Sequence, residues 1–335
     1  KMCLMGRYVK KDIYKSIYYL RLSACQKNEK AQILLSNIYR EGICVKKDIK
    51  KSIYYLSLAA NQNNPEAQRI LGFIYLTDPL YYDISKSIYF LSLAADQKEN
   101  IALGTLGILY YKGIYTYRDV EKALYYLNIA VDQNDSIAPM ILWSIYFKGE
   151  YITQDINKAI HYLKLAAKQK NPDAQHNLGV FYYDGIYVPH DENKAIHYLT
   201  LSAKQNCFSA YGHLGKIYFE TSKSQEDIRK AIDFCVKGAI HNDPISQYQL
   251  GRIYTNKKNE ERDIKKGLYY LKLASDQKIS VAEYELGKLY YDGIYINQDI
   301  NQSIKYFNLA AKKNNPRAET MLGILYYEGK YVSLN

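Results

Sequence analysis

The sequence predicts an all-α protein, a right-handed α/α solenoid of stacked antiparallel helix pairs with a period of 36 residues. Three columns predict it. Leucine recurs at Leu35, Leu71, Leu106, Leu142, Leu178, Leu214, Leu250, Leu286 and Leu322, in steps of 36 with one step of 35. Tyrosine stands four residues after each, at Tyr39, Tyr75, Tyr110, Tyr146, Tyr182, Tyr218, Tyr254, Tyr290 and Tyr326. Aspartate recurs nine times, at Asp12, Asp48, Asp83, Asp119, Asp155, Asp191, Asp227, Asp263 and Asp299. Self-similarity at such a period is the signature of units that bury their apolar faces only by stacking.

Each period reads as two short helices. Helix A starts at Asn or Asp caps such as Asn64, Asn171, Asp243 and Asn315. Each is followed by proline, whose missing N–H is not needed at the first helical position. Ala, Leu, Gly and Tyr follow, as in Ala174, Leu178, Gly179 and Tyr182, and a loop glycine ends the helix (Gly42, Gly113, Gly149, Gly185, Gly293, Gly329). A left-handed residue is wanted at that place. Helix B is capped by the aspartate column and runs to a pair of alanines such as Ala166–Ala167. At 100° per residue the Ala, Leu and Tyr columns of helix A share one face. The column of Gly72, Gly107, Gly179, Gly215, Gly251, Gly287 and Gly323 lies at its edge, where a missing side chain lets the partner helix come close. The 335 residues are read as one continuous array: a partial unit over 1–30, eight full units over 31–317 and a trailing helix over 318–335.

These residues resemble the Sel1-like repeat family, relatives of the tetratricopeptide repeats. The pattern A-x-x-x-L-G-x-x-Y-x-x-G, then D-x-x-K-A-x-x-[FY]-x-x-x-A-A, is carried by Ala174–Gly185 and Asp191–Ala203 and covers nearly the whole chain. The sequence departs from it in several places. Loop glycines are missing near Thr77, Thr221 and Lys257, Trp143 replaces a helix A glycine beside Pro139, and a glycine after the alanine pair gives way to Gln, Lys or Asn. Local deviations in packing are expected there.

Composition narrows the function. Hydrophobic residues are 48% and charged residues 24%, as in a globular chain. The longest apolar stretch, Ser136 to Phe147, is too short for the roughly 20 residues of a transmembrane helix. Five cysteines without regular spacing give no disulfide framework and no zinc site, so a reducing, cytoplasmic compartment is favoured. Secreted relatives associated with β-lactams imply a cysteine pair in each repeat, which is absent here; Cys25 and Cys235 are read as small core residues. Nucleotide, metalloprotease, nucleophile-elbow and EF-hand spacings are also absent. No catalytic residue, cofactor or metal ligand is assigned. His161 and His197 share a helix B column, but repeats about 8–10 Å apart hold two imidazoles too far apart for ligand bonds of about 2.0–2.1 Å to one zinc.

One face of helix A lies opposite the core and, by resemblance to tetratricopeptide arrays, lines a concave groove. In the later repeats it carries His176 and Asn177, then His213 and Lys216, then Tyr248, Gln249 and Arg252, then Tyr284, Glu285 and Lys288. Lys216, Arg252 and Lys288 fall in one column as a basic ladder. Ile33, Phe73, Ile108 and Met140 leave the N-terminal copies blander. Tyrosines of the opposite, convex column (Tyr18, Tyr54, Tyr89, Tyr125, Tyr269) are read as permissive surface positions. With a net charge of +11, the ladder points to an acidic protein partner bound by a non-enzymatic scaffold or adaptor. A nucleic-acid-binding solenoid is the runner-up; it is disfavoured because the cations are read as spread over most repeats and balanced by acids. A regulatory arm of an enzyme whose catalytic domain lies outside this chain is the third reading.

Overall fold

The computed structural model describes residues 12–43, 45–113 and 117–328. Cys3, Cys44 and Gly329 lie outside the described residues. Eighteen α-helices and no strands occur among the described residues. The odd-numbered helices are of type B: α1 (Ile13–Cys25), α3 (Ile49–Ala60), α5 (Ile84–Asp96), α7 (Val120–Asp132), α9 (Ile156–Lys168), α11 (Glu192–Ala203), α13 (Gln225–Ala239), α15 (Ile264–Asp276) and α17 (Ile300–Ala311). The even-numbered ones are of type A: α2 (Glu29–Glu41), α4 (Pro65–Thr77), α6 (Asn100–Lys112), α8 (Ala138–Lys148), α10 (Pro172–Asp184), α12 (Phe208–Glu220), α14 (Pro244–Thr255), α16 (Ser280–Asp292) and α18 (Pro316–Glu328). The chain forms two compact units, the first up to Leu163 and the second from Lys164. Each is a stack of α/α pairs, the solenoid arrangement the periodicity predicts.

The glycine column sets how closely A and B helices approach. A Cβ built on Gly72 would lie 2.6 Å from Cγ of Leu91, and one on Gly251 would lie 2.5 Å from Cγ of Leu271. Gly107 faces Leu127, Gly179 faces Leu199 and Gly287 faces Phe307 in the same way. Those partner side chains are fully buried. Beside this notch the tyrosine column stacks on an aromatic of the following B helix. Tyr39 lies on Tyr55, Tyr110 on Tyr126 and Tyr182 on Tyr198, with ring centroids 5.8–5.9 Å apart.

The aspartate column closes the motif. Asp48 accepts from the Lys51 backbone N–H, its other oxygen lies 3.0 Å from Lys51 Nζ, and that ammonium sits over the Tyr39 ring. The same cap, ion pair and cation–π contact recur at Asp83 with Lys86 and Tyr75, and at Asp191 with Lys194 and Tyr182. A cap of this kind is worth about 1 kcal/mol, and an exposed ion pair rarely as much; the cap is therefore the larger reason for the column. Asp227 corrects the pattern. Its helix starts one turn early at Gln225, Ser224 is the cap, and Asp227 sits at N3, closing a capping box with Ser224.

The two interhelical loops use different residues for left-handed backbone. The A-to-B loop uses glycine, with φ of +72° at Gly42 and +69° at Gly185. Where that glycine is missing, α4, α12 and α14 end without a left-handed residue, at Asp78, Thr221 and Asn256. Among the described residues, the B-to-A loops place nine non-glycine residues at positive φ, Lys27, Asn63, Lys170 and Asn206 among them. Asparagine tolerates this region better than lysine does.

A polar ladder also threads each unit. Gln32 donates to the Ala24 carbonyl and accepts from Gln62 of the next repeat; Gln68 does the same with Ala60 and Gln97. In the second unit Gln175 and Gln205 repeat the arrangement. Where Leu103 takes the glutamine position, the Gln133 amide nitrogen is buried without a partner. Cys235 is a core residue as expected, its thiol pushed up by burial. Cys25 is not: it is exposed. The pair at the end of α1 is Ser23–Ala24, so Cys25 aligns with Asn61, which is also exposed.

The notch makes a paired prediction. Gly251→Ala drives a methyl into Leu271 and should destabilise by about 1–3 kcal/mol. Gly104→Ala meets no atom within 4 Å and should stabilise by about 0.5–1 kcal/mol through helix propensity. Urea denaturation of the two variants checks both signs.

Candidate partner-binding face

All ten residues assigned to the face lie in the second unit, on α10, α12, α14 and α16. His176 and His213 meet directly, with Nε2 of one 3.2 Å from Nδ1 of the other and ring centroids 4.9 Å apart. His213 Nδ1 also lies 3.0 Å from the Ser209 carbonyl oxygen. A carbonyl only accepts, so this nitrogen carries the hydrogen. His176 Nε2 then accepts, and its Nδ1–H donates to Asn177 Oδ1 at 3.3 Å. The His176 ring is neutral in this arrangement. Nearby, Gly212 permits close packing of α12 on α14: a Cβ there would sit 2.8 Å from Ser246 N.

The basic ladder is partly neutralised within the chain. Lys216 Nζ lies 3.9 Å from Asp184 and over the Tyr183 ring. Arg252 Nη1 donates to Glu220 at 3.1 Å and to Gln249 Oε1 at 2.9 Å. Tyr183 donates its hydroxyl to the other Glu220 oxygen at 2.6 Å. Burial and the Glu220 carboxylate together hold that phenol well above its usual range. Tyr183, Glu220, Arg252 and Gln249 thus form one chain of hydrogen bonds across three repeats. Lys288 is exposed and has no ion-pair partner among the described residues.

A spacing of 32 residues accounts for this. Asp184 precedes Lys216, and Glu220 precedes Arg252, by that interval, whereas Lys288 is preceded by Asn256. Reading the basic column alone missed these carboxylates; the interval was in the sequence. Gln249 is only 4% exposed and serves to hold Arg252. Tyr248 and Tyr284 are half-buried and wedge against the core clusters of neighbouring helices. Between α14 and α16 a cleft of about 500 Å³ is lined by Arg252, Lys257, Glu285, Lys288 and Asp292, among others. In the first unit Ile33 is buried in the core. His161 and His197 are both exposed. No three His, Cys, Asp or Glu side chains among the described residues gather as metal ligands, and none of the described helices is long and apolar enough to cross a membrane.

The histidine pair gives the second unit a pH dependence. Burial, then the neighbouring His176, depress the His213 pKa to about 4, and burial lowers His176 as well. An unfolded histidine takes its proton near 6.5, so between these values the unfolded state binds more protons and stability rises with pH. The stabilisation is full above about pH 6.5 and falls away toward pH 4. His213→Asn should flatten this slope in thermal melts across that window; an unchanged slope would remove the pair as its source.

The sequence matches the Sel1 repeat family over residues 1–28, 29–64, 65–99, 101–135, 143–171, 172–207, 244–278, 280–315 and 316–335. The main unmatched stretches hold Pro139 and the repeat capped by Ser224. A comparison with curated protein sequences finds no match. Among solved structures, the chain is similar to c5321, a protective antigen of uropathogenic Escherichia coli displaying an SLR fold. That match has 27% identity and a TM-score of 0.81, covering 98% of this chain and 70% of the other. A Sel1 repeat protein from Oxalobacter formigenes is 26% identical with a TM-score of 0.68, covering 92% and 89%. With nine matched repeats and the notch, stack and cap recurring along it, the chain belongs to the Sel1 repeat family.

Proposed function

We propose that this chain is a non-enzymatic scaffold that grips a protein partner along the A-helix face of its second unit. Proteins of the Sel1 repeat family are generally protein-interaction scaffolds and are typically non-catalytic. The observation that carries the reading is the cross-repeat network of this face. His176 with His213, and Tyr183 with Glu220 and Arg252, fix polar side chains in place before any partner arrives. A surface ordered in advance loses less side-chain freedom on binding. In this reading Asn177, Tyr248, Tyr284 and Glu285 supply contact area and hydrogen bonds, Gln249 positions Arg252, and Lys216, Arg252 and Lys288 supply charge. Because Lys216 and Arg252 already face Asp184 and Glu220, the partner meets a mixed polar and aromatic surface with surplus positive charge at Lys288. This pairing also counts against nucleic acid as the ligand of this face.

The test is quantitative affinity purification with the full chain and a Lys216→Glu, Arg252→Glu, Lys288→Glu variant. Calorimetry on any recovered protein follows. Loss of about 1.5–3 kcal/mol for each disrupted charge-assisted contact predicts at least about tenfold weaker binding. A partner whose affinity shifts less than about threefold, on the same energy scale, does not use this face.

A further inference from the structure

The positive charge of this chain is concentrated. Thirteen Lys and Arg against four Asp and Glu fall in the first 60 residues, a net +9 of the total +11. This corrects the expectation of cations spread and balanced along the repeats. Their main focus among the described residues is a cleft of about 960 Å³ in the first unit, walled by the loop leading into α3 and by the loop between α4 and α5. Arg21, Lys46, Lys47, Lys50 and Lys51 line it, against Asp48 and Asp78.

Most of these lining cations have no ion-pair partner among the described residues. Asp48 holds Lys51, and Asp78 accepts the Leu80 backbone N–H. Arg21 donates to the Tyr39 hydroxyl, not to a carboxylate. Lys46, Lys47 and Lys50 are exposed and have no ion-pair partner among the described residues. The residue just before the capping aspartate folds back onto the helix A carbonyl seven residues earlier in several other repeats: Arg118 on Tyr111, Gln154 on Phe147, His190 on Tyr183 and Gln298 on Tyr291. Lys47 makes no such bond among the described residues.

The same cleft offers aliphatic contact. Leu80 is 87% exposed at its rim, with Val45 and Ile49 inside. Two tyrosines line the cleft: Tyr39 is 4% exposed, stacked on Tyr55 and covered by Lys51, and Tyr81 is partly buried, packed against the core of the first unit. Neither is a freely exposed ring of the kind on which single-stranded binders stack successive bases.

We propose that this cleft is a second interaction surface, which docks an acidic polypeptide segment carrying aliphatic side chains. Carboxylates of the segment engage Lys46, Lys47 and Lys50, and an aliphatic side chain covers Leu80. The site is separate from the face of the second unit and does not depend on it.

The probe is a fluorescein-labelled octapeptide of Glu with two Leu, read by fluorescence anisotropy with the full chain. Lys46→Glu, Lys47→Glu, Lys50→Glu together should weaken binding by at least about tenfold, as loss of several charge-assisted contacts implies. Leu80→Gln, which keeps every charge, should weaken it about threefold, the scale of one lost apolar contact. A control with the same charge change elsewhere, Lys164→Glu, Lys168→Glu, Lys272→Glu, should bind nearly as wild type does. The Lys216, Arg252, Lys288 variant should also bind normally, so failure here and failure of the second-unit face are distinguishable. Binding unchanged in the cleft variant, or equally lost in the control, overturns the proposal. So does an oligothymidylate of matched charge, or an anionic phosphatidylserine vesicle, that binds more tightly than the peptide and loses its binding in the same cleft variant.

Discussion

The close approach of most A helices to the B helices that follow them is the constraint on which the rest depends. Glycine at one edge of helix A leaves room for a leucine or phenylalanine that is then fully buried, as with Gly251 against Leu271 and Gly287 against Phe307. At that distance the tyrosine four residues after the leucine column can stack on the next helix. The capping aspartate can then place a lysine over the same ring. Burial supplies most of the stabilisation, at roughly 1.5–3 kcal/mol per enclosed side chain; the stack and cap add smaller amounts and fix the register. Stabilisation is therefore distributed repeat by repeat, as nearest-neighbour terms.

Such a stack commits one face of each helix to the core and leaves the remaining columns available. What occupies them differs between the two units. In the second, polar side chains of successive A helices are close enough to bond to one another. The Tyr183–Glu220–Arg252–Gln249 chain and the His176–His213 pair are built this way. In the first, the surplus cations collect around loops, where later repeats use the matching side chains to close their own helix ends. The same repeat thus carries two chemically distinct surfaces.

Much of the fold was legible because the repeat displays each constraint many times over. Nine leucines, tyrosines and aspartates in step leave little freedom in placing the helices, and the loop glycines fell where left-handed backbone occurs. The errors came where one copy departs from the rest. Asp227 lost its cap role because Ser224 starts the helix a turn earlier. Cys25, read as a core residue, lies one place beyond the Ser23–Ala24 pair and is exposed. The candidate face was legible only as a column of side chains. That Asp184 and Glu220 would reach Lys216 and Arg252 depends on contacts between repeats, which a reading of one column at a time does not capture. The contact of His176 with His213 likewise depends on how closely adjacent A helices pack.

The central claim is that one 36-residue unit, held to its neighbours by the notch and the aromatic stack, is interchangeable along the array. Excision of residues 244–279 removes one full period and joins Asp243 to Ser280, which occupies the same helical position as Pro244. Far-ultraviolet circular dichroism during thermal unfolding should show unchanged helicity per residue and a retained cooperative transition. Excision of residues 244–261, half a period, should instead abolish helicity around the junction, because it removes the A helix α14 and leaves the B helix α15 with no matching A helix. Loss of fold in the full-period variant, or equal tolerance of both excisions, would contradict the account.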